Sequence, residues 1–118
     1  MIYIETKQQT KVRQNIVESI EDVTGVPREL WEIRRSRTMQ EVLIRHIYIH
    51  MLYNYGNFTL QNIARIVGLK NHCTIIQSLN RTKEWYAETK WVHERILLDE
   101  IKEDYEQRIN KTAESLAR

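Results

Sequence analysis

Hydrophobic positions recur along this chain in steps of three and four and almost never in alternation. Val12, Ile16, Val17, Ile20 and Val23 keep that rhythm with polar residues between them, which predicts an amphipathic helix over about Lys7 to Thr24. Gly25 stands where that helix should stop, because glycine takes a left-handed backbone without steric cost. Pro27 suits the first turn of a short helix from Arg28 to about Ile33, expected to offer Leu30 and Trp31 to the core. From Thr38 to about Asn54, Val42, Leu43, Ile47, Ile49, Met51 and Leu52 nearly encircle a second long helix. Such a helix is expected to be central and buried, with Gly56 closing it.

The next two predicted helices are a pair. Thr59 can cap a short one whose apolar face is Leu60, Ile63, Ala64 and Val67, and Gly68 ends it after about two turns. Asn71 can cap another that carries Ile75, Ile76 and Leu79. A short helix, a glycine turn and a second helix form a helix-turn-helix. A compact unit would place an apolar residue at Thr74; the next apolar positions here are Ile75 and Ile76, so the turn is longer by a residue. Beyond Lys83, Val92, Ile96, Leu97, Ile101, Tyr105 and Ile109 form a partial stripe. It predicts one or two further helices with a break near Thr89.

Composition narrows the class. Three glycines and one proline in 118 residues are too few for a turn-rich sandwich or barrel, so the fold class is all-α. Gly25, Gly56 and Gly68 cannot compose a G-x-G-x-x-G loop or a P-loop, so no nucleotide and no other cofactor is expected. The lone Cys73 cannot form an internal disulfide, which suits a reducing compartment. No signal-like start or membrane-length apolar run is present, and a cytoplasmic protein without a membrane partner is expected.

Charge changes the picture more. The net +2 conceals a segregation: residues 34–83 hold eight Lys and Arg against Glu41 alone, whereas both flanks are net acidic. A basic block between acidic flanks fits either a polyanion partner or a solvated face. The helix-turn-helix lies inside this block, with Asn71, His72, Cys73 and Thr74 at the start of its second helix. A recognition helix presents base-reading side chains from that end. Asn pairs with adenine, Thr can bond a base or touch a thymine methyl, and His can bond a base or phosphate.

The run GLKNHCTIIQSLNRTKEW resembles the signature of the C-terminal, origin-binding domain of the bacterial replication initiator DnaA. Lys70 stands at the family's basic position, His72 at its His and Thr74 at its second Thr. Arg34-Arg35-Ser36-Arg37 resembles the basic loop that opens that domain, and Arg45 resembles a family Arg. The resemblance covers roughly residues 12–85 and implies a six-helix, Trp-repressor-like domain reading a double-stranded TTATCCACA-type box. Arg34 to Arg37 would enter the minor groove and Asn71 to Thr74 the major groove. Asn71 and Cys73 replace the family's Asp and first Thr, so the preferred site is expected to differ. The ATPase module is absent from the resemblance, which implies a stand-alone, nucleoid-associated protein of bacterial or phage origin.

Other candidates have plainer readings. His46 and His50 have metal-ligand spacing but lack the Glu of the zinc-protease motif, so packed or surface histidines are favoured. His72 and Cys73 are adjacent and therefore diverge on a helix, which argues against a catalytic pair. Cys73 as a redox sensor ranks below a small residue facing DNA. Trp31, Trp85 and Trp91 could stack single-stranded bases, but packing is their usual use. Asp99, Glu100, Glu103, Asp104 and Glu106 could hold a nuclease metal, or simply form a solvated face.

The expectation is a non-enzymatic chain with a DNA-binding domain over 1–83, its helix-turn-helix at about 59–82, and a packing or dimerising helical extension over 84–118. The expected DNA-contacting residues are Arg34, Arg35, Arg37, Arg45, Thr59, Lys70, Asn71, His72, Cys73, Thr74 and Arg81. The alternative is a helical adaptor whose C-terminal stripe binds another protein.

Overall fold

The computed structural model describes residues 5–33 and 38–117, with side chains through Lys111. The described residues are all-helical. Helices α1 (Lys7–Thr24), α2 (Met39–Asn54), α3 (Leu60–Ile66), α4 (Cys73–Ala87) and α5 (Val92–Ala117) are joined by 3₁₀ turns at Arg28–Leu30 and Thr89–Trp91. None of the described helices is long and apolar enough to cross a membrane.

Local chemistry sets the ends. Thr6 accepts from the Gln9 amide while the Gln9 side chain returns to the Thr6 amide, a reciprocal capping box that opens α1. Gly25 ends the helix in the left-handed conformation, φ 72°. Thr38 and Thr59 cap α2 and α3 in the same way as Thr6, each accepting from the amide three residues on. Glu88 takes an extended backbone between α4 and the second 3₁₀ turn, which is the break expected near Thr89.

Helix α2 is the central element, touching α1, α3, α4 and α5. Ile44, Ile47, Tyr48, Met51 and Leu52 are sealed within the molecule. Ile16, Val17 and Ile20 reach them from α1, and Leu98, Ile101 and Tyr105 from α5. Ile101 and Tyr105 of the C-terminal stripe are therefore spent inside the same core, with Leu98 doing what the sequence pattern assigned to Ile96. Ile96 and Ile109 stay on the surface. Arg108 reaches back from α5 to Glu18 and Asp22 on α1. Helix α4 runs through residue 83 without interruption to Ala87.

Three expectations need correction. The segment after Pro27 is one 3₁₀ turn, Arg28–Leu30, and not a helix to Ile33. Leu30 is exposed; Trp31 alone enters the core, its indole N–H donating to the Val26 carbonyl at 3.0 Å and its ring edge-on to Tyr48. Ile76 is likewise 41% exposed, because the buried side of α4 is completed by Ser78 and Thr82 in addition to Ile75 and Trp85.

Candidate nucleic-acid interface

Helices α3 and α4 pack through Ile63, Ala64, Val67 and Ile75, all buried. Ala64 lets the two backbones approach, and its carbonyl accepts from the Leu69 amide at 2.7 Å across the turn. Gly68 makes that turn with φ 77°, and a Cβ there would meet the Ile33 Cγ2 at 3.0 Å. The turn thus needs glycine twice, for its backbone and for its contact with the segment after the 3₁₀ turn.

The turn delivers Lys70, Asn71, His72 and Cys73 to the surface, all exposed, with Thr74 half-buried behind them. Asn71 is near the cap but does not occupy it. His72 holds the cap position without a capping hydrogen bond, and the Asn71 Oδ1 accepts from the Cys73 amide at 3.0 Å. That bond engages the Asn71 Oδ1 as an acceptor, while its NH₂ can act only as a donor. Successive residues turn by about 100° around a helix, so Cys73, Gln77, Asn80 and Glu84 share the outward face of α4. Ile76 and Lys83 lie on one flank and Arg81 on the other, all exposed. Sequence reasoning missed Gln77 and Asn80. Two polar residues opposite Ile75 and Ser78 are legible only once the buried side of the helix is known.

Arg45 does not join this surface. It is only 7% exposed, and its guanidinium donates to the carbonyls of Trp31 at 3.0 Å and Ile33 at 3.3 Å. The correction has a physical basis: Arg45 lies on the buried stretch of α2 between Ile44 and Ile47, so it must satisfy its donors within the protein. Thr59 is exposed, but its hydroxyl is engaged in capping α3. Arg34, Arg35 and Arg37 lie outside the described residues.

Segment 31–33 is held firmly from below. Glu32 receives Arg13, Arg28 and the Tyr48 hydroxyl, the last at 2.6 Å. Burial, and then the Glu32 carboxylate, hold the Tyr48 hydroxyl well above its ordinary pKa, so it stays a donor.

The two spaced histidines meet α4. His46 Nδ1 lies 2.6 Å from Ser78 Oγ, and His50 Nδ1 lies 3.2 Å from Thr82 Oγ1. Burial is the main reason that both imidazoles fall to about 4, with Arg81 and Arg45 adding to it at His46 and Lys102 at His50. Among the described residues no cluster of three or more His, Cys, Asp or Glu could hold a metal ion. The acidic residues of α5 pair in part with cations and a phenol: Asp104 with Arg108, and Asp99 with the Tyr86 hydroxyl.

No family model matches this chain, and no curated protein or solved structure matches it either.

Proposed function

We propose that this chain is a sequence-specific, double-stranded DNA-binding protein that seats the N-terminal end of α4 in the major groove, in the manner of the DnaA C-terminal domain. The observation that carries the reading is the outward end of α4. Asn71, His72 and Cys73 are exposed there beside Lys70, on a helix anchored from behind by Ile75, Ser78, Thr82 and Trp85. Side chains with that reach and hydrogen-bonding capacity suit base edges, and a helix N-terminus favours a nearby phosphate. Arg65, Arg81 and Lys83 are also exposed, with Glu84 the acid among them on α4's outward face. The resemblance of residues 68–85 to the initiator signature supports the same reading, and so does the basic Arg34 to Arg37 segment.

On this reading the chain is a binding module and not a catalyst. His72 and Cys73 act as contacts, and α5 braces the domain. The adaptor alternative draws less support, since Ile101 and Tyr105 of the stripe it would offer to a partner are buried.

Fluorescence anisotropy with a TTATCCACA-type duplex and a scrambled duplex, at two salt concentrations, tests the proposal. Tighter binding to the box that persists at higher salt is expected. Equal, salt-sensitive binding to both would remove the initiator-type site while keeping DNA as the partner, and no binding to either would overturn the proposal.

A further inference from the structure

His46 and His50 are four residues apart on α2, and Ser78 and Thr82 are four apart on α4. The two pairs meet rung on rung, at 2.6 Å and 3.2 Å. Both partners ascend in the same direction, so α2 and α4 run parallel where they touch. The hydroxyls are fully enclosed, Ser78 2% and Thr82 0% exposed. Thr82 donates its single hydroxyl hydrogen to the Leu79 carbonyl at 2.9 Å, so its oxygen must accept from His50, whose Nδ1 carries the hydrogen. The His46 ring also stands edge-on to Trp85 at 6.4 Å.

Apolar core residues such as Ile47 on α2 and Ile75 on α4 set a helix's roll less sharply, because dispersion is non-directional. Hydrogen bonds set it more sharply, since they weaken steeply with distance and angle. A roll of α4 would break both rungs together, stripping the enclosed Ser78 hydroxyl and two half-buried imidazoles of these partners and leaving Thr82 only its bond to Leu79, each lost bond at a cost. Ser78 and Thr82 lie on the side of α4 opposite Cys73, Gln77 and Asn80, so whatever fixes the former fixes the direction of the latter.

We propose that the His46–Ser78 and His50–Thr82 ladder is the device that sets the rotation of α4, and thereby determines which side chains α4 presents to DNA. His46, His50, Ser78 and Thr82 are positioning residues. This inference rests on the DNA-binding reading for its consequence, but not for its geometry.

The test uses the full chain carrying Ser78→Ala, Thr82→Val and both together, with Thr82→Ser as the variant that keeps the hydroxyl. Thr82→Val preserves shape and removes only the hydrogen-bonding atom. The double variant is expected to lose about tenfold in its preference for the specific duplex over the scrambled one, equivalent to roughly one base contact. Its affinity for scrambled DNA and that of Thr82→Ser for the specific duplex should be unchanged. A merely stabilising role would lower the melting temperature and leave the preference intact, and that result would overturn the proposal. Amide residual dipolar couplings in the free protein give the angle between α2 and α4 without DNA. If the wild-type chain binds no DNA, the reading of function fails and the couplings decide this inference alone. A changed α4 orientation in the double variant supports the ladder, and an unchanged one overturns it. Should the double variant not fold, Thr82→Val is judged by the same two readouts.

Discussion

Arg45 and Asn71 show how differently two polar side chains can be used in one domain. Arg45 is buried and donates to the Trp31 and Ile33 carbonyls, so its charge serves the fold. Arg45→Met keeps the aliphatic stem but removes those donors. It is expected to cost about 1.5–3 kcal/mol of stability, the range for hydrogen bonds to charged groups, while leaving the salt slope of DNA binding unchanged. Urea denaturation and anisotropy across a salt series check this; unaltered stability with a shallower slope would make Arg45 a phosphate contact instead. Asn71 and Thr74 lie on the other side of the division. On the DNA-binding reading, Thr74→Ala should leave melting nearly as it is and Asn71→Ala should lower it modestly through the lost bond to the Cys73 amide, while each erodes discrimination between specific and scrambled duplexes by ~1–3 kcal/mol. Equal losses on both duplexes would show that these residues do not read bases.

At the scale of elements, α3 depends on its two ends. It spans Leu60–Ile66, too short to be stable outside the packed domain. Thr59 caps its start, and Gly68 lets the chain turn with φ 77° toward α4. Gly68→Ala is therefore expected to destabilise the chain by more than about 1 kcal/mol, through the disfavoured left-handed backbone and the contact with Ile33. Thermal melts followed by circular dichroism measure it, and an unchanged or raised midpoint would mean that the turn relaxes to another conformation. Much of this pair was legible in the sequence, because Thr59, Gly68 and the spacing of Ile63, Ala64 and Val67 are local signals. The outward face of α4 was less so. Ile76 has the spacing of a core residue, but Ser78 and Thr82 take the buried side by pairing with His46 and His50, and no local pattern announces a pairing 32 residues away.

Across the whole molecule, two properties follow from how α2 and α5 are enclosed. His46 and His50 stay neutral in the folded chain down to about pH 4, whereas in the unfolded chain histidine takes up its proton near the ordinary 6.5. Their folded values are lowered, so the stability they contribute is complete above about pH 6.5 and is lost as pH falls toward 4. The loss should be on the order of 2 kcal/mol for each histidine, allowing for partial exposure. Urea midpoints at pH 7 and pH 5 for the wild-type chain and for His46→Asn with His50→Gln would show it. The wild-type midpoint should fall more steeply, and parallel slopes would rule the histidines out as the cause. Helix α5 supplies Leu98, Ile101 and Tyr105 to the core, with Tyr105 edge-on to Tyr55 at 5.5 Å. A chain ending at Ala87 would bare the apolar faces of α1 and α2. It is expected to lose cooperative melting and to bind a hydrophobic dye, and a monomer that melts like the full chain would make α5 a detachable appendage.

The sequence by itself determined the all-helical class, the positions of most helix ends and the placing of the exposed residues 70–73 at the start of α4. Those are consequences of period, capping side chains and glycine, all of which act over a few residues. Only the tertiary structure decided that Arg45 faces inward, that the C-terminal helix folds onto α1, and that two histidines on α2 engage two hydroxyls on α4. Each of these joins residues far apart in the chain, and the choice among possible partners is made by which surfaces can be buried together with most of their polar atoms still paired.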